Sequence, residues 1–204
     1  AIALAQRGRL HLQLTRFEAA EADFDAALAL APTLDLALRG KAQVCLLLRK
    51  TAQAVAACKT LLEVNPRSEV GMGLMGSCLA NQGETAAAIE QFDAALAIKP
   101  DFDDAITRKI FALDFLPEAD FAAQQAARKY WWDAVGCKLP RRRPSPRSLD
   151  PERRITVGYV SSDFWRHSAG FASLPVIRHH DHANFEVICY SCSPMADHVT
   201  DLFR

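Results

Sequence analysis

A 34-residue period runs through the first half of the chain and constrains its fold more than any other feature. Pro32, Pro66 and Pro100 are spaced at this interval. The same interval relates four further sets of residues, which are Gly8, Ala42 and Gly76; Ala20, Ala54 and Ala88; Phe24, Cys58 and Phe92; and Ala27, Leu61 and Ala95. A period of this length is typical of stacked helical repeats, because each short unit must bury its apolar face against its neighbours.

Each unit is predicted to be a pair of helices, which in the first unit cover about residues 2–14 and 17–30. The turns inside the units are expected at Thr15-Arg16, Arg49-Lys50 and Gly83-Glu84. Small residues at the periodic positions allow two helices to approach closely, while Phe24 fills the layer between neighbours. The pattern resembles the tetratricopeptide repeat, so residues 1–102 are predicted to form three such repeats in an α-solenoid with a concave groove.

The first helix of each repeat is expected to line this groove. The polar residues on that face are candidates for binding a substrate, and they are Arg9, Gln13, Arg39, Gln43, Ser77 and Asn81. Apolar residues lie between them and acidic residues are few. This mixture predicts weak, sequence-tolerant binding of an extended polypeptide, since the ligand loses conformational entropy and finds few buried anchors.

Residues 103–137 keep the helical pattern but lose the repeat pattern, and they are predicted to be a capping helix pair. Pro117 stands where a turn is due. The segment ends in Tyr130, Trp131 and Trp132, which we interpret as packing for the next domain rather than as a ligand surface.

The character of the sequence changes after this segment. Residues 138–154 contain four prolines and seven basic residues, which predicts a linker rather than a nucleic-acid-binding segment. The run ITVGYVSSDFWRHS, from Ile155 to Ser168, indicates a buried strand that opens into a polar loop, with Ser168 as the N-cap of a helix. A second strand is predicted at Phe185–Ser191. Residues 155–204 are therefore predicted to be the N-terminal part of a Rossmann-like α/β domain, which contains its first β-α-β unit and is truncated after it.

The composition narrows the choice of partners. The 24 basic and 24 acidic residues cancel, which argues against nucleic acid or an anionic membrane as the partner. No apolar run reaches the roughly 20 residues of a membrane span. The six cysteines are scattered through apolar segments, so we expect reduced thiols in a cytoplasmic protein. The cluster of His179, His180 and His182 is not followed by matching Cys or acidic ligands, so no metal site is predicted.

The order of these segments resembles the O-linked N-acetylglucosamine transferase and SPINDLY-type family, particularly its bacterial members. Tetratricopeptide repeats, an aromatic-ended cap and a basic linker precede two specific runs, GYVSSDFWRH from Gly158 to His167 and FEVICYS from Phe185 to Ser191. The resemblance covers all 204 residues. Two features depart from the family pattern. Ser168 stands where members often carry proline, and the Asn that vertebrate members repeat in the groove is replaced by Gln6, Gly40 and Leu74.

The resemblance implies an inverting, metal-independent glycosyltransferase with a GT-B type catalytic region. Such an enzyme transfers a sugar from a uridine-diphosphate donor to Ser or Thr hydroxyls of proteins held along the repeat groove. His167 matches the active-site histidine of the family, and most donor-binding residues of the family lie in a second lobe that this chain lacks. The resemblance therefore implies that the 204-residue chain is inactive by itself.

Three questions stay open at the level of sequence. The donor sugar can be N-acetylglucosamine, which we favour, or fucose or glucose. His167 can act as a general base or as a positioning and electrostatic group, because imidazole supports both roles near neutral pH. The alternative to an enzyme is a non-catalytic repeat scaffold that binds proteins and is joined to an unrelated α/β domain.

Overall fold

A computed structural model describes residues 1–140, 150, 152–193 and 195–204. The chain divides into two units, Ala1–Arg141 and Arg142–Arg204. In the described residues, the first unit is built from helices and the second contains a two-stranded parallel sheet with one α-helix. This architecture confirms the predicted fold class, a mostly helical solenoid followed by one β-α-β unit. Most of the predicted linker, residues 138–154, lies outside the described residues.

Four consecutive helix pairs make up the first unit. They are α1 Ile2–Gln13 with α2 Phe17–Leu30, α3 Asp35–Leu47 with α4 Thr51–Val64, α5 Glu69–Asn81 with α6 Thr85–Ile98, and α7 Asp103–Leu113 with α8 Phe121–Ala134. None of the helices in the described residues is both long and apolar enough to cross a membrane.

The turns inside the three repeats share one geometry. Thr15, Arg49 and Gly83 each adopt a left-handed backbone conformation, with φ of 56°, 61° and 86°. In each turn the next residue donates its amide to a carbonyl five residues back, as in Arg16 to His11 (2.9 Å), Lys50 to Cys45 (2.8 Å) and Glu84 to Leu79 (3.0 Å). This Schellman pattern satisfies the last helical carbonyls and reverses the chain. The turns fall where the sequence predicts them.

A buried phenylalanine sets the spacing between helices in the first and third repeats. A Cβ added to Gly8 would lie 2.9 Å from the ring of Phe24, and one added to Gly40 would lie 2.2 Å from it. In the third repeat, a Cβ added to Gly76 would lie 2.6 Å from the ring of Phe92. These distances are too short for a side chain, so glycine lets the helix backbone rest against the ring.

The middle repeat fills the same layer with different residues. Cys58 is fully buried at the position that Phe24 holds in the first repeat. Ala42 and Leu74 stand 34 residues after Gly8 and Gly40, and both pack in the core that surrounds Cys58. The smaller side chain at position 58 is therefore accompanied by larger ones on the two facing helices, which keeps the packed volume similar.

The aromatic end of α8 binds back onto the helical unit. The Tyr130 hydroxyl donates to the carbonyl of Pro100 (2.9 Å), and the Trp131 indole N–H donates to Asp103 (2.6 Å). Trp131 also packs against the core cluster that contains Phe92. Tyr130 and Trp131 therefore have partners within the helical unit, and the interpretation of the three aromatic residues as packing for the next domain stays a prediction.

The second unit consists of β1 Ile155–Ser161, α9 Ser168–Arg178 and β2 Phe185–Ser191. The strands are parallel and in register from Ile155 opposite Phe185 to Ser161 opposite Ser191. The expectation that β1 is a buried strand does not hold within the described residues, since Val160 is 69% exposed. A buried cluster nevertheless forms beyond the carboxyl ends of the strands, where the ring of Phe164 lies 4.8 Å from that of Phe203.

Candidate functional site

The loop that follows β1 is held in one conformation by its own short hydrogen bonds. The Ser161 hydroxyl accepts the amide of Asp163 (3.0 Å), which closes a tight turn where the apolar strand ends. The amides of Trp165 and His167 then donate to the carbonyls of Asp163 (2.8 Å) and Trp165 (2.6 Å). The loop therefore presents His167 directly at the start of α9.

Gly170, in the first turn of α9, allows the helix to lie against this loop. A Cβ at Gly170 would be 2.4 Å from the carbonyl oxygen of Trp165 and 2.6 Å from that of Asp163. Both neighbours are backbone atoms, which cannot rotate away as a side chain can. The loop can therefore pack against α9 in this conformation only because residue 170 has no side chain.

His167 is the N-cap of α9, which corrects the prediction that Ser168 has this role. The Nδ1 atom of His167 accepts the amide of Ala169 (3.2 Å), and Asp163 lies 3.7 Å from the same nitrogen. Ser168 is the first helical residue instead. A neutral imidazole whose Nδ1 accepts a hydrogen bond carries its proton on Nε2. In this arrangement Nε2 is a hydrogen-bond donor, next to a helix N-terminus that favours anions.

Asp197 ties the loop to the last described segment, and sequence analysis missed it. Its carboxylate accepts the amides of Arg166 (2.9 Å), Val199 (2.9 Å) and Thr200 (3.2 Å). Desolvation raises the pKa of Asp197, but the amide donors outweigh it and hold this pKa below its ordinary value. The sequence separation of 31 residues between Asp197 and Arg166 leaves no local pattern that could have predicted this contact.

The histidines after α9 have individual partners. His180 Nε2 lies 2.6 Å from the Tyr159 hydroxyl, and His179 Nδ1 donates to the carbonyl of Pro175 (2.8 Å). In the part of the chain that the structure describes, no three His, Cys, Asp or Glu side chains are grouped as metal ligands.

A groove of about 920 Å³ runs across the first helices of successive pairs, α3, α5 and α7. It is lined by four of the six predicted groove residues, Arg39, Gln43, Ser77 and Asn81. Arg9 and Gln13 lie on α1, outside the lining of this groove. We refer to the surface as the concave groove.

Two of these four residues are already engaged. The guanidinium of Arg39 forms an ion pair with Asp35 (2.6 Å), and the Ser77 hydroxyl donates to the carbonyl of Gly73 (2.8 Å). The side-chain amides of Gln43 and Asn81 have no hydrogen-bond partner among the described residues. They are therefore the neutral groups that can donate to, and accept from, the backbone of a bound polypeptide.

The concave groove continues onto the fourth helix pair, which sequence analysis treated only as a cap. Phe111 and Phe115 line it there, together with Asp104, Thr107 and Arg108. The 34-residue period could have found the two aromatic residues, because Phe111 follows Ser77 and Phe115 follows Asn81 at this interval. The change in composition at residue 103 concealed them.

Comparisons with known proteins match both units of the chain. Residues 138–204 match the family described as Glycosyl transferase family 41, and residues 5–69 and 49–101 match the tetratricopeptide repeat. A protein of Petunia hybrida described as a probable UDP-N-acetylglucosamine-peptide N-acetylglucosaminyltransferase SPINDLY is 33% identical over 111 residues. That alignment covers 53% of this chain and 12% of the length of the relative.

Solved structures are similar to the chain in fold. The O-GlcNAc transferase of Thermobaculum terrenum, as its K341M mutant, superimposes with a TM-score of 0.86 at 26% identity. The match covers 99% of this chain and 39% of that protein. The first repeat domain of Spaghetti, solved with an HSP90 peptide, matches 55% of this chain and 90% of that domain with a TM-score of 0.52. At 14% identity, this second likeness concerns the fold of the repeats alone.

Proposed function

Because the chain is of the O-linked N-acetylglucosamine transferase and SPINDLY-type family, we propose that it is part of a protein O-glycosyltransferase. The enzyme transfers a sugar, N-acetylglucosamine from UDP-N-acetylglucosamine, to Ser or Thr hydroxyls. The family 41 match over residues 138–204 carries this proposal. The alternative, a repeat scaffold attached to an unrelated α/β domain, accounts for the repeats but not for that match.

His167 is the catalytic residue of the proposal within this chain. Its position at the start of α9 supports electrostatic and positioning work, because Nε2 can donate a hydrogen bond to a developing oxyanion or a phosphate oxygen. A general-base role would require Nε2 to be unprotonated, and hence Nδ1–H to turn from the Ala169 amide towards Asp163. The geometry favours the first role.

The chemistry proposed is a single displacement with inversion at the sugar carbon and no metal ion. An acceptor hydroxyl attacks the anomeric carbon, the bond to the diphosphate breaks, and UDP leaves with the electron pair. The proton of the acceptor hydroxyl passes to an oxygen of the departing diphosphate, directly or through water. Amides at the start of α9 can stabilise negative charge there without a cation. Two measurements test this part of the proposal. The anomeric configuration of the glycopeptide product is read by NMR, and turnover is compared with and without a chelator.

A donor competition tests the proposed function itself. The complete enzyme is incubated with a Ser/Thr peptide and radiolabelled UDP-N-acetylglucosamine, UDP-glucose or a GDP-fucose donor in parallel. We expect label to enter the peptide from UDP-N-acetylglucosamine. If label enters the peptide only from UDP-glucose or the GDP-fucose donor, N-acetylglucosamine is the wrong sugar. A complete protein that transfers no sugar but binds proteins would favour the scaffold alternative.

We also propose that the 204-residue chain does not transfer sugar alone. It spans 39% of the Thermobaculum enzyme, and the SPINDLY alignment covers 12% of that relative. In this proposal, residues of the complete enzyme outside these 204 hold the sugar donor. The protein acts in the cytoplasm, which is supported by six free cysteines.

A further inference from the structure

Two exposed aromatic side chains stand in the concave groove on the fourth helix pair. Phe111 is 66% exposed and Phe115 is 65% exposed, and their ring centroids are 5.0 Å apart. Phe111 lies on α7 and Phe115 two residues beyond the end of that helix. Large apolar side chains exposed as a pair inside a groove are the usual composition of a recognition surface.

Each charged residue that lines the groove is paired with an opposite charge. The charged residues that line it are Arg39, Asp104 and Arg108. Arg39 is paired with Asp35 (2.6 Å), and Arg108 with Asp104 (2.8 Å), each across one helical turn. A ligand with charged side chains would have to break one of these pairs or lie beside a charge that is already neutralised. The groove is therefore complementary to an uncharged segment.

The neutral hydrogen-bonding groups of the groove lie on the first helices of the two preceding helix pairs. Gln43 is on α3 and Asn81 at the end of α5, and both line the same groove as Phe111. Leu46 and Leu47 add apolar surface on α3. Side-chain amides can form hydrogen bonds with the unpaired N–H and C=O groups of an extended polypeptide. The two rings can pack against one large apolar side chain of the same polypeptide.

We propose that Phe111 and Phe115 form an anchor site for a large apolar or aromatic side chain within an uncharged, extended segment of a protein acceptor. This inference rests on the proposed function for the identity of the partner as an acceptor. It gives the groove a sequence preference, in contrast to the sequence-tolerant binding that its helices suggest by composition. Phe111 and Phe115 are specificity-determining residues in this proposal.

A binding titration with the 204-residue chain tests the anchor. The probes are three fluorescein-labelled 15-residue peptides of Ser, Thr, Gly and Gln that carry Phe, Ala or Glu at the central position. We expect the Phe peptide to bind about tenfold more tightly than the Ala peptide, as burial of one aromatic side chain predicts. We expect the Glu peptide to bind no better than the Ala peptide.

Matched variants locate the effect. Phe111→Ser and Phe115→Ser, singly and together, are expected to remove the preference for Phe while leaving the thermal midpoint nearly unchanged, because both rings are exposed. Phe121→Ser is the control, since this ring is 74% exposed and does not line the groove. Fluorescence anisotropy measures affinity, and circular dichroism reports the fold of each variant.

The outcomes separate this inference from the proposed function. Equal binding of all three peptides, or no binding of any, overturns the anchor proposal, while sugar transfer by the complete enzyme is measured independently. Loss of the preference in Phe121→Ser but not in Phe115→Ser also overturns it. If sedimentation shows a dimer that Phe111→Ser and Phe115→Ser abolish, the occupant is a second copy of the chain and the proposal is wrong.

Discussion

At the scale of the single residue, His167 has two roles: its Nδ1 caps α9, and its Nε2 is proposed to act in catalysis. Two substitutions can separate these roles. Asparagine can accept the Ala169 amide at the N-cap but offers nothing in the place of Nε2. We expect His167→Asn in the complete enzyme to lower turnover about 10²-fold or more. The thermal midpoint should stay close to that of the unchanged protein. Assays of sugar transfer and thermal unfolding measure the two effects.

His167→Ala removes both contacts and is the companion variant. It should lose turnover to the same degree and also about 1 kcal/mol of stability, because the cap is lost. The reason for this loss is the capping bond from the Ala169 amide to Nδ1 of His167. Full activity in the asparagine variant would remove His167 from the catalytic site.

Gly170 is the second position where one residue governs the loop. Gly170→Ala should destabilise the second unit by about 1–3 kcal/mol, because the new Cβ would overlap two backbone carbonyls. The amide resonances of Arg166 and Ala169 should shift in NMR spectra. Gly158→Ala is the control, since its Cβ would meet only the Tyr190 ring at 3.3 Å. An unchanged stability and spectrum for Gly170→Ala would contradict the close approach described.

At the scale of the element, the three repeat turns share one backbone geometry but not one residue type. Thr15 and Arg49 adopt a left-handed conformation that costs an ordinary side chain about 1–2 kcal/mol. Glycine avoids this cost but gains flexibility in the unfolded chain, so Thr15→Gly and Arg49→Gly should each stabilise by about 0.5 kcal/mol. Gly83→Ala should destabilise by about 1 kcal/mol, although open space surrounds it. Urea unfolding curves measure all three, and a loss of stability in Thr15→Gly would contradict the account.

In the middle repeat, a smaller side chain at position 58 is matched by larger ones on the facing helices, and this match can be tested. Cys58→Phe should destabilise by about 1–3 kcal/mol, because Ala42 and Leu74 occupy the space that glycines leave around Phe24. Ala42→Gly should restore part of this loss when combined with Cys58→Phe, although alone it destabilises. A double-mutant cycle should therefore show a coupling of about 0.5–3 kcal/mol. Additive effects would mean that the two residues do not share the layer.

At the scale of the whole molecule, the reactivity of each cysteine thiol depends on whether its side chain is buried. Cys137 and Cys192 are exposed, whereas Cys45, Cys58 and Cys78 are buried. Burial raises the pKa of Cys45, and hydrogen bonding to Cys78 together with burial raises the pKa of Cys58. A raised pKa leaves less thiolate at a given pH, which slows alkylation further.

Titration of the folded chain with a thiol reagent at pH 8 should therefore modify Cys137 and Cys192 first. Cys189 should follow slowly, since partial burial raises its pKa. The three repeat cysteines should react only as the solenoid unfolds, because all three are fully buried, even though the hydrogen bond with Cys58 lowers the pKa of Cys78. Their rate of modification should therefore follow the urea concentration. Mass spectrometry of labelled peptides assigns each site. Early labelling of Cys58 in the folded chain would contradict its full burial.

The sequence by itself determined the features that depend on neighbours along the chain. The interval between Pro32, Pro66 and Pro100 was sufficient to predict three helix pairs and their turns, because a repeated unit must make the same contacts with each neighbour. The uncharged run from Ile155 was sufficient to predict a strand and the loop that carries His167. Both results follow from local periodicity, which a single sequence displays directly.

Only the tertiary structure decided which side chains meet. His167 rather than Ser168 caps α9, since the loop backbone packs against Gly170 and aims Nδ1 at the Ala169 amide. Asp197 reaches Arg166 from 31 residues away. Such contacts form only when distant segments fold onto one another. No local sequence pattern predicts them, because the residues are far apart along the chain.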